Sequence, residues 1–162
     1  MSKRGRKPCV RVTNRHQKIW LSIPKIHLLT EKILKYLHKP VELHLVFVSD
    51  SQIKRINKLF HASNTPTDVL AFGQPTHWPL SSDSRGFLGE VIVSLDRARI
   101  YARRFNVPMS EELVRYIIHG ILHLLGERDH TPRLQRKMFK RQEALLDALR
   151  PVGRLLNPTH SA

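Results

Sequence analysis

The chain is poor in cysteine, in long apolar runs and in acids. Cys9 is its single cysteine. No internal disulfide framework can form, which fits a reducing compartment. No apolar run approaches the length of a spanning helix, so no membrane segment and no membrane partner are expected. The basic N-terminus is not followed by an apolar stretch and does not read as a secretory signal, so the expected location is the cytoplasm. Internal repeats, linkers and low-complexity tracts are also missing, and 162 residues suffice for one domain with one sizeable core. The shortage of acids says most: 13 Asp plus Glu stand against 28 Lys plus Arg, a net charge of +15. Such an excess suggests a polyanionic partner. A membrane surface fits poorly, because no segment joins a lipid-type apolar face to a basic one.

The basic residues begin early, with Lys3, Arg4, Arg6, Lys7, Arg11, Arg15 and Lys18 and no acid among them. Residues 1–8 read as a disordered basic tail, either an RNA-touching arm or a solubilising extension. A domain from 9 to 150 and a frayed tail from 151 to 162 follow. Within the domain, Cys9 opens a short strand. Pro24 to Lys39 reads as a helix capped by Ser22 and stopped by Pro40. Val41 to Val48 alternates as a strand. Asp50 looks like the N-cap of a helix through Phe60. Asp68 to Phe72 is a short strand, and Gly73 to Gly86 is a loop whose Trp78 packs locally or awaits a partner. A strand over Phe87–Ser94 and a helix over Leu95–Phe105 come next. Ser110 is placed as the N-cap of a mostly buried helix to about Leu125. Thr131-Pro132 opens the last helix, with Leu134, Met138, Leu145 and Leu149 on its core side.

Chemistry concentrates in His119-Gly-Ile-Leu-His123-Leu-Leu-Gly126-Glu-Arg-Asp129-His130. Two histidines one helical turn apart can face one ion, and zinc takes such nitrogens while a catalytic site keeps a position open. Projected on a helix, His119 and His123 share the less apolar face with Glu112, Arg115 and Tyr116. Gly126 ends the helix as a C′ glycine does, and the returning chain brings His130 toward the same ion. The plainer alternative is two satisfied helix histidines and a turn histidine. Zinc proteases of the His-Glu-x-x-His type need a glutamate after the first histidine as general base; here Gly120 stands there. Metal-assisted attack on a phosphodiester stays open, and the basic balance suits that substrate.

The block His119-Gly-Ile-Leu-His123-Leu-Leu-Gly126, followed by Asp129-His130, resembles the signature of the YbeY family of rRNA maturation factors. Asn57 and Pro66-Thr-Asp68-Val-Leu-Ala-Phe72 resemble a second family block, and Leu88-Gly-Glu90-Val-Ile-Val-Ser94 a third, all in family order between about residues 10 and 150. The resemblance implies a mixed α/β (α+β) single domain, with a small mixed β-sheet packed against several helices. It implies a zinc-dependent endoribonuclease specific for single strands. Its substrate would be single-stranded rRNA, notably the 16S 3′ end, with the small ribosomal subunit and its proteins as partners, a part in ribosome quality control, and no DNA. His119, His123 and His130 would hold one Zn2+ ion. Two departures stand out. His130 follows His123 by seven positions where the family has six, with Glu127-Arg128 in place of one tyrosine. Counted strictly, Asp129 takes the third ligand position; the reading adopted is a one-residue insertion that keeps His130 as ligand, since Asp-His stays paired before the last helix, with Asp129 as ligand or as partner to a histidine N–H the alternative. His61 stands where the family has an arginine that helps bind the substrate phosphate, and Ser63-Asn64 replace a Lys-Asp pair. Histidine can carry charge and move a proton but lacks the bidentate fork. His61 and Arg128 are expected in the catalytic site; either the catalytic details differ here, or Arg85, Arg128 or a tail residue compensates. The competing readings are a zinc hydrolase of another, protease-like class, a ribosome-associated RNA-binding factor with structural zinc, and a basic domain without chemistry.

Overall fold

Alternating and helical apolar periods resolve into four strands and five helices among the described residues, 6–74 and 86–157 of the computed structural model. Trp78 and Arg85 lie outside the described residues. The order is β1 (Cys9–Asn14), α1 (Ile23–Tyr36), β2 (Glu42–Val48), α2 (Asp50–His61), β3 (Val69–Gly73), β4 (Phe87–Ser94), α3 (Leu95–Phe105), α4 (Met109–Leu124) and α5 (Pro132–Leu149). The strands form one mixed sheet in the order β1-β2-β4-β3. β1, β2 and β4 run parallel, and β3 closes the edge antiparallel to β4. This is the expected mixed α/β architecture. No helix among the described residues is long and apolar enough to cross a membrane.

Strand alternation divides the core in two. Leu43, Leu45, Phe47, Val91 and Val93 point to one face and pack with α1, α3, α4 and α5. Val48, Leu70 and Ile92 point to the other face and meet Ile53 of α2, with Phe72 against them. α4 is the pivot of the larger side. Leu113, Val114, Ile117, Ile118, Ile121 and Leu122 are fully buried. Each such side chain contributes roughly 1.5–3 kcal/mol on leaving water. Burial, rather than helix propensity, holds this β-branched helix in place.

Three local expectations change. α2 is capped by Ser49, not Asp50: its hydroxyl accepts from the Gln52 N–H while Gln52 Oε1 accepts from the Ser49 N–H. Asp50 is taken instead by Ser94 and Arg97 of the neighbouring element. α4 begins at Met109 with Pro108 at the cap position, because the Ser110 hydroxyl accepts from the Leu155 N–H. That contact belongs to the third change. Residues 151–157 do not fray: Leu155 is buried, Leu21 and Leu156 form a β-bridge, and the Asn157 N–H donates to the Trp20 carbonyl.

Candidate metal centre

α4 ends where the chain can reverse. The Glu127 N–H donates to the Leu122 carbonyl and the Gly126 N–H to the His123 carbonyl, a Schellman closure. Gly126 has φ +94°, a region that favours glycine. The turn carries residues 127–130 back beside the last turn of α4. There His119 Nε2 and His123 Nε2 stand 3.0 Å apart, and Asp129 Oδ2 lies 3.6 Å from the first and 3.5 Å from the second.

The protonation of both rings follows from their outer nitrogens. His119 Nδ1 meets Gln142 Oε1 at 3.0 Å, and His123 Nδ1 meets the Glu127 carbonyl oxygen at 3.0 Å. Both partners only accept, so both Nδ1 atoms carry the proton. In their neutral forms the two rings turn Nε2 lone pairs, beside a carboxylate oxygen, toward one point. Burial, and next the neighbouring His123, push the His119 imidazole below its ordinary range; Gln142, Asp68 and Asp129 restore only part of that. Neutral imidazole is the ligand form. Ligand atoms about 2.0–2.1 Å from a tetrahedral ion stand about 3.3 Å from one another. The observed separations bracket that value. Two histidines and a carboxylate fit a zinc site of the open, three-ligand kind.

α5 supplies the support. Gln142 is buried, and beside it Arg115 of α4 donates its Nε–H to Glu143 at 2.8 Å and an Nη1–H to Glu112 at 3.0 Å. The two helices are thereby clipped together beneath the histidines. Sequence reasoning missed Gln142. Its signal was a polar residue lying in the stripe of Met138 and Leu145.

The other expected site residues are dispersed. His130 is exposed, and its ring does not join His119, His123 and Asp129, whose ligand atoms lie within 4.8 Å of one another. It lines a separate cavity of about 360 Å³ with Arg128, Leu134 and Lys137. With the Glu127 carbonyl tied to His123, Asp129 faces the histidines and the next side chain departs toward α5. Arg128 is exposed on the same turn. His61 is the last residue of α2, its ring stacked on Phe72 at 5.9 Å. Phe72 belongs to the α2 side of the sheet, so His61 stands across the β3 edge from the α4 histidines.

Gly120 sits between the histidines where α4 lies close against the sheet. A Cβ there would lie 2.4 Å from Val91 Cγ1. The site therefore has no glutamate after His119 and no room for one.

A family model described as Endoribonuclease YbeY matches residues 11–150. The chain belongs to the YbeY endoribonuclease family. The YbeY endoribonuclease of Treponema denticola is 39% identical over 119 residues, 71% of this chain and 76% of that one. That of Syntrophus aciditrophicus is 32% identical over 139 residues, 84% of this chain and 86% of the relative. A solution structure of a Thermotoga maritima protein superposes with a TM-score of 0.59 at 28% identity, covering 86% of this chain and 88% of the other. In this turn Asp129, rather than His130, stands beside the α4 histidines.

Proposed function

We propose that this protein is a zinc-dependent endoribonuclease that cleaves single-stranded rRNA in the cytoplasm, acting in 16S 3′-end maturation and ribosome quality control on the small ribosomal subunit. The observation that carries the proposal is the triangle of His119 Nε2, His123 Nε2 and Asp129 Oδ2, with both outer histidine nitrogens already committed as donors. A zinc ion held by His119, His123 and Asp129 would supply Lewis acidity toward a phosphoryl oxygen and would lower the pKa of a bound water. The protein's own groups do the rest. Gln142 and the Glu127 carbonyl fix the ring orientations, and Asp129 adds the negative charge that favours a cation. Arg128 and His61, on opposite sides of the β3 edge, are assigned to the substrate phosphates. His130, beside Arg128 and Lys137, faces the same RNA from the turn.

Elemental analysis of variants tests the ligand set. His119→Ala, His123→Ala and Asp129→Asn are expected to lose zinc and RNA cleavage together, while His130→Ala keeps its zinc. Retention by Asp129→Asn with loss by His130→Ala would move the third ligand to His130. Zinc-loaded protein that leaves rRNA precursors intact, free and on small subunits, would refute the enzyme. The absence of a guanidinium at position 61 favours a second reading, an RNA-binding factor with structural zinc. That reading requires a folded His123→Ala variant to support rRNA processing undiminished.

A further inference from the structure

At the C-terminal ends of the parallel strands the chain leaves the sheet three times around one polar cavity of about 360 Å³. Arg15, His16 and Lys18 follow β1, Arg55 comes from α2, and Asp96 and Arg99 from α3. The metal centre lies at the other end of β4. Gly120 packs on Val91, and Leu124 would meet a side chain at Gly89, so α4 finishes over the start of β4. The two places are separated by on the order of 15 Å along the strand direction.

The cavity is held open by a buried pin. His16 Nδ1 accepts the N–H groups of Lys18 at 3.1 Å and Ile19 at 3.0 Å, so its proton sits on Nε2 and donates to Asp96 Oδ1 at 3.0 Å. The side chain of His16 is only 6% exposed. Asp96 Oδ2 accepts the Asp50 N–H at 2.9 Å, and Arg99 reaches Oδ1 at 3.3 Å. The β1–α1 turn is thereby fastened to the first turns of α2 and α3. Asp96, the one carboxylate among the lining residues, is already shared by three donors. Arg15, Lys18 and Arg55 are exposed, and no carboxylate pairs with them among the described residues.

We propose that this cavity is a second RNA-contact site, which grips the phosphodiester backbone of single-stranded RNA with Arg15, Lys18 and Arg55. The proposal rests on the RNA reading above and adds a contact surface away from the metal. Its chemistry is that of backbone, not base. Cations converge on a polar hollow, and the one aromatic ring lining it, His16, is buried and committed at both nitrogens, leaving no aromatic platform on which a base stacks. Arg99 neutralises Asp96, and the three unpaired cations remain for phosphate oxygens.

The test is fluorescence anisotropy of a single-stranded oligoribonucleotide of about twenty nucleotides, with chelator present so that no cleavage occurs. Full-length wild type is compared across salt with Arg15→Ala/Lys18→Ala/Arg55→Ala and with a control of equal charge loss, Lys32→Ala/Lys39→Ala/Arg104→Ala, which lines no part of the cavity. The pocket triple is expected to bind at least about tenfold more weakly near 0.1 M salt. Its slope of log K against log salt should be about 2 units shallower, at about 0.7 per single-strand phosphate. All three side chains are exposed, so Tm verifies the fold, and Arg55→Ala alone shifts the slope by about a third as much. Equal losses in the two triples overturn this proposal and leave the RNA reading standing. A wild type that binds no RNA overturns both. Displacement of the RNA by a mononucleotide at concentrations where inorganic phosphate fails would make the cavity a nucleotide pocket and also overturn it.

Discussion

Gly120→Ala adds one methyl group where α4 lies close against the sheet. The new Cβ would stand 2.4 Å and 3.0 Å from the two methyls of Val91 and 3.2 Å from Val69 Cγ2. Two effects oppose each other. Alanine favours a helix interior over glycine by about 1 kcal/mol. Overpacking a tight core costs about 1–3 kcal/mol, and fully buried, β-branched Val91 on the internal strand β4 has little rotamer freedom with which to yield. The steric cost therefore sits at the upper end of that range, and the net expectation is a loss of about 1–2 kcal/mol. In a chain of this size that lowers Tm by about 2–8 °C. Urea unfolding of the metal-free protein measures it without the contribution of bound metal. Replacing Val91 by alanine should relieve the clash, so the double mutant should show a coupling of at least about 0.5 kcal/mol. A Gly120→Ala protein as stable as wild type or more so would refute the reasoning, since the helix-propensity gain would then be unopposed. The same contact bears on chemistry. A helix pushed outward carries His119 and His123 away from their geometry with Asp129, so zinc affinity should fall with stability.

Gly89→Ala should be worse, because its Cβ would meet the backbone oxygen of Phe72 at 2.4 Å and its φ is +151°, at an irregularity in the β2–β4 register. Strain and overpacking together predict a loss of about 3–4 kcal/mol or insoluble protein; a soluble variant with wild-type Tm would contradict this. Gln142→Leu removes the acceptor of the His119 Nδ1–H while keeping an apolar core residue. Zinc affinity, titrated against a competing chelator, should fall about 10–100-fold, and an unchanged value would remove Gln142 from the site. Asp96 gives a pH dependence. Burial would raise its carboxyl, but the Asp50 N–H, His16 and Arg99 together hold it below the ordinary 3.8. The unfolded chain therefore binds more protons as acid is added. The stability from Asp96 is complete above its unfolded value and is lost as pH falls through the lower folded value. The stability gap between wild type and Asp96→Asn should close between about pH 5 and pH 2 in urea unfolding, and a constant gap would show that the carboxylate's charge is not what matters.

Much of the fold was legible because periodicity and punctuation agree in this chain. The strand Phe87–Ser94, the helix Leu95–Phe105 and the Thr131-Pro132 helix start stand where residue patterns put them. The helix pair His119 and His123 was legible for the same reason, since a four-residue step fixes a shared face whatever surrounds it. The cap choices that failed were between residues one or two positions apart. Ser49 and Asp50 are both good caps; Asp50 is drawn away by Arg97 and Ser94, more than forty positions along the chain. Ser110 is drawn away from capping by Leu155. Asp129 and His130 are both metal ligands by type. The hydrogen bond from His123 to the Glu127 carbonyl fixes how the turn leaves α4, and so which of the two faces the histidines. Gln142 was hidden by the same mechanism, because its value lies in a partner twenty-three positions earlier. Spacing along one helix settles which side chains share a face. Which of two neighbours is used depends on contacts the residue pattern does not show: remote ones for Ser49 and Ser110, and for the turn after α4 a bond four positions long.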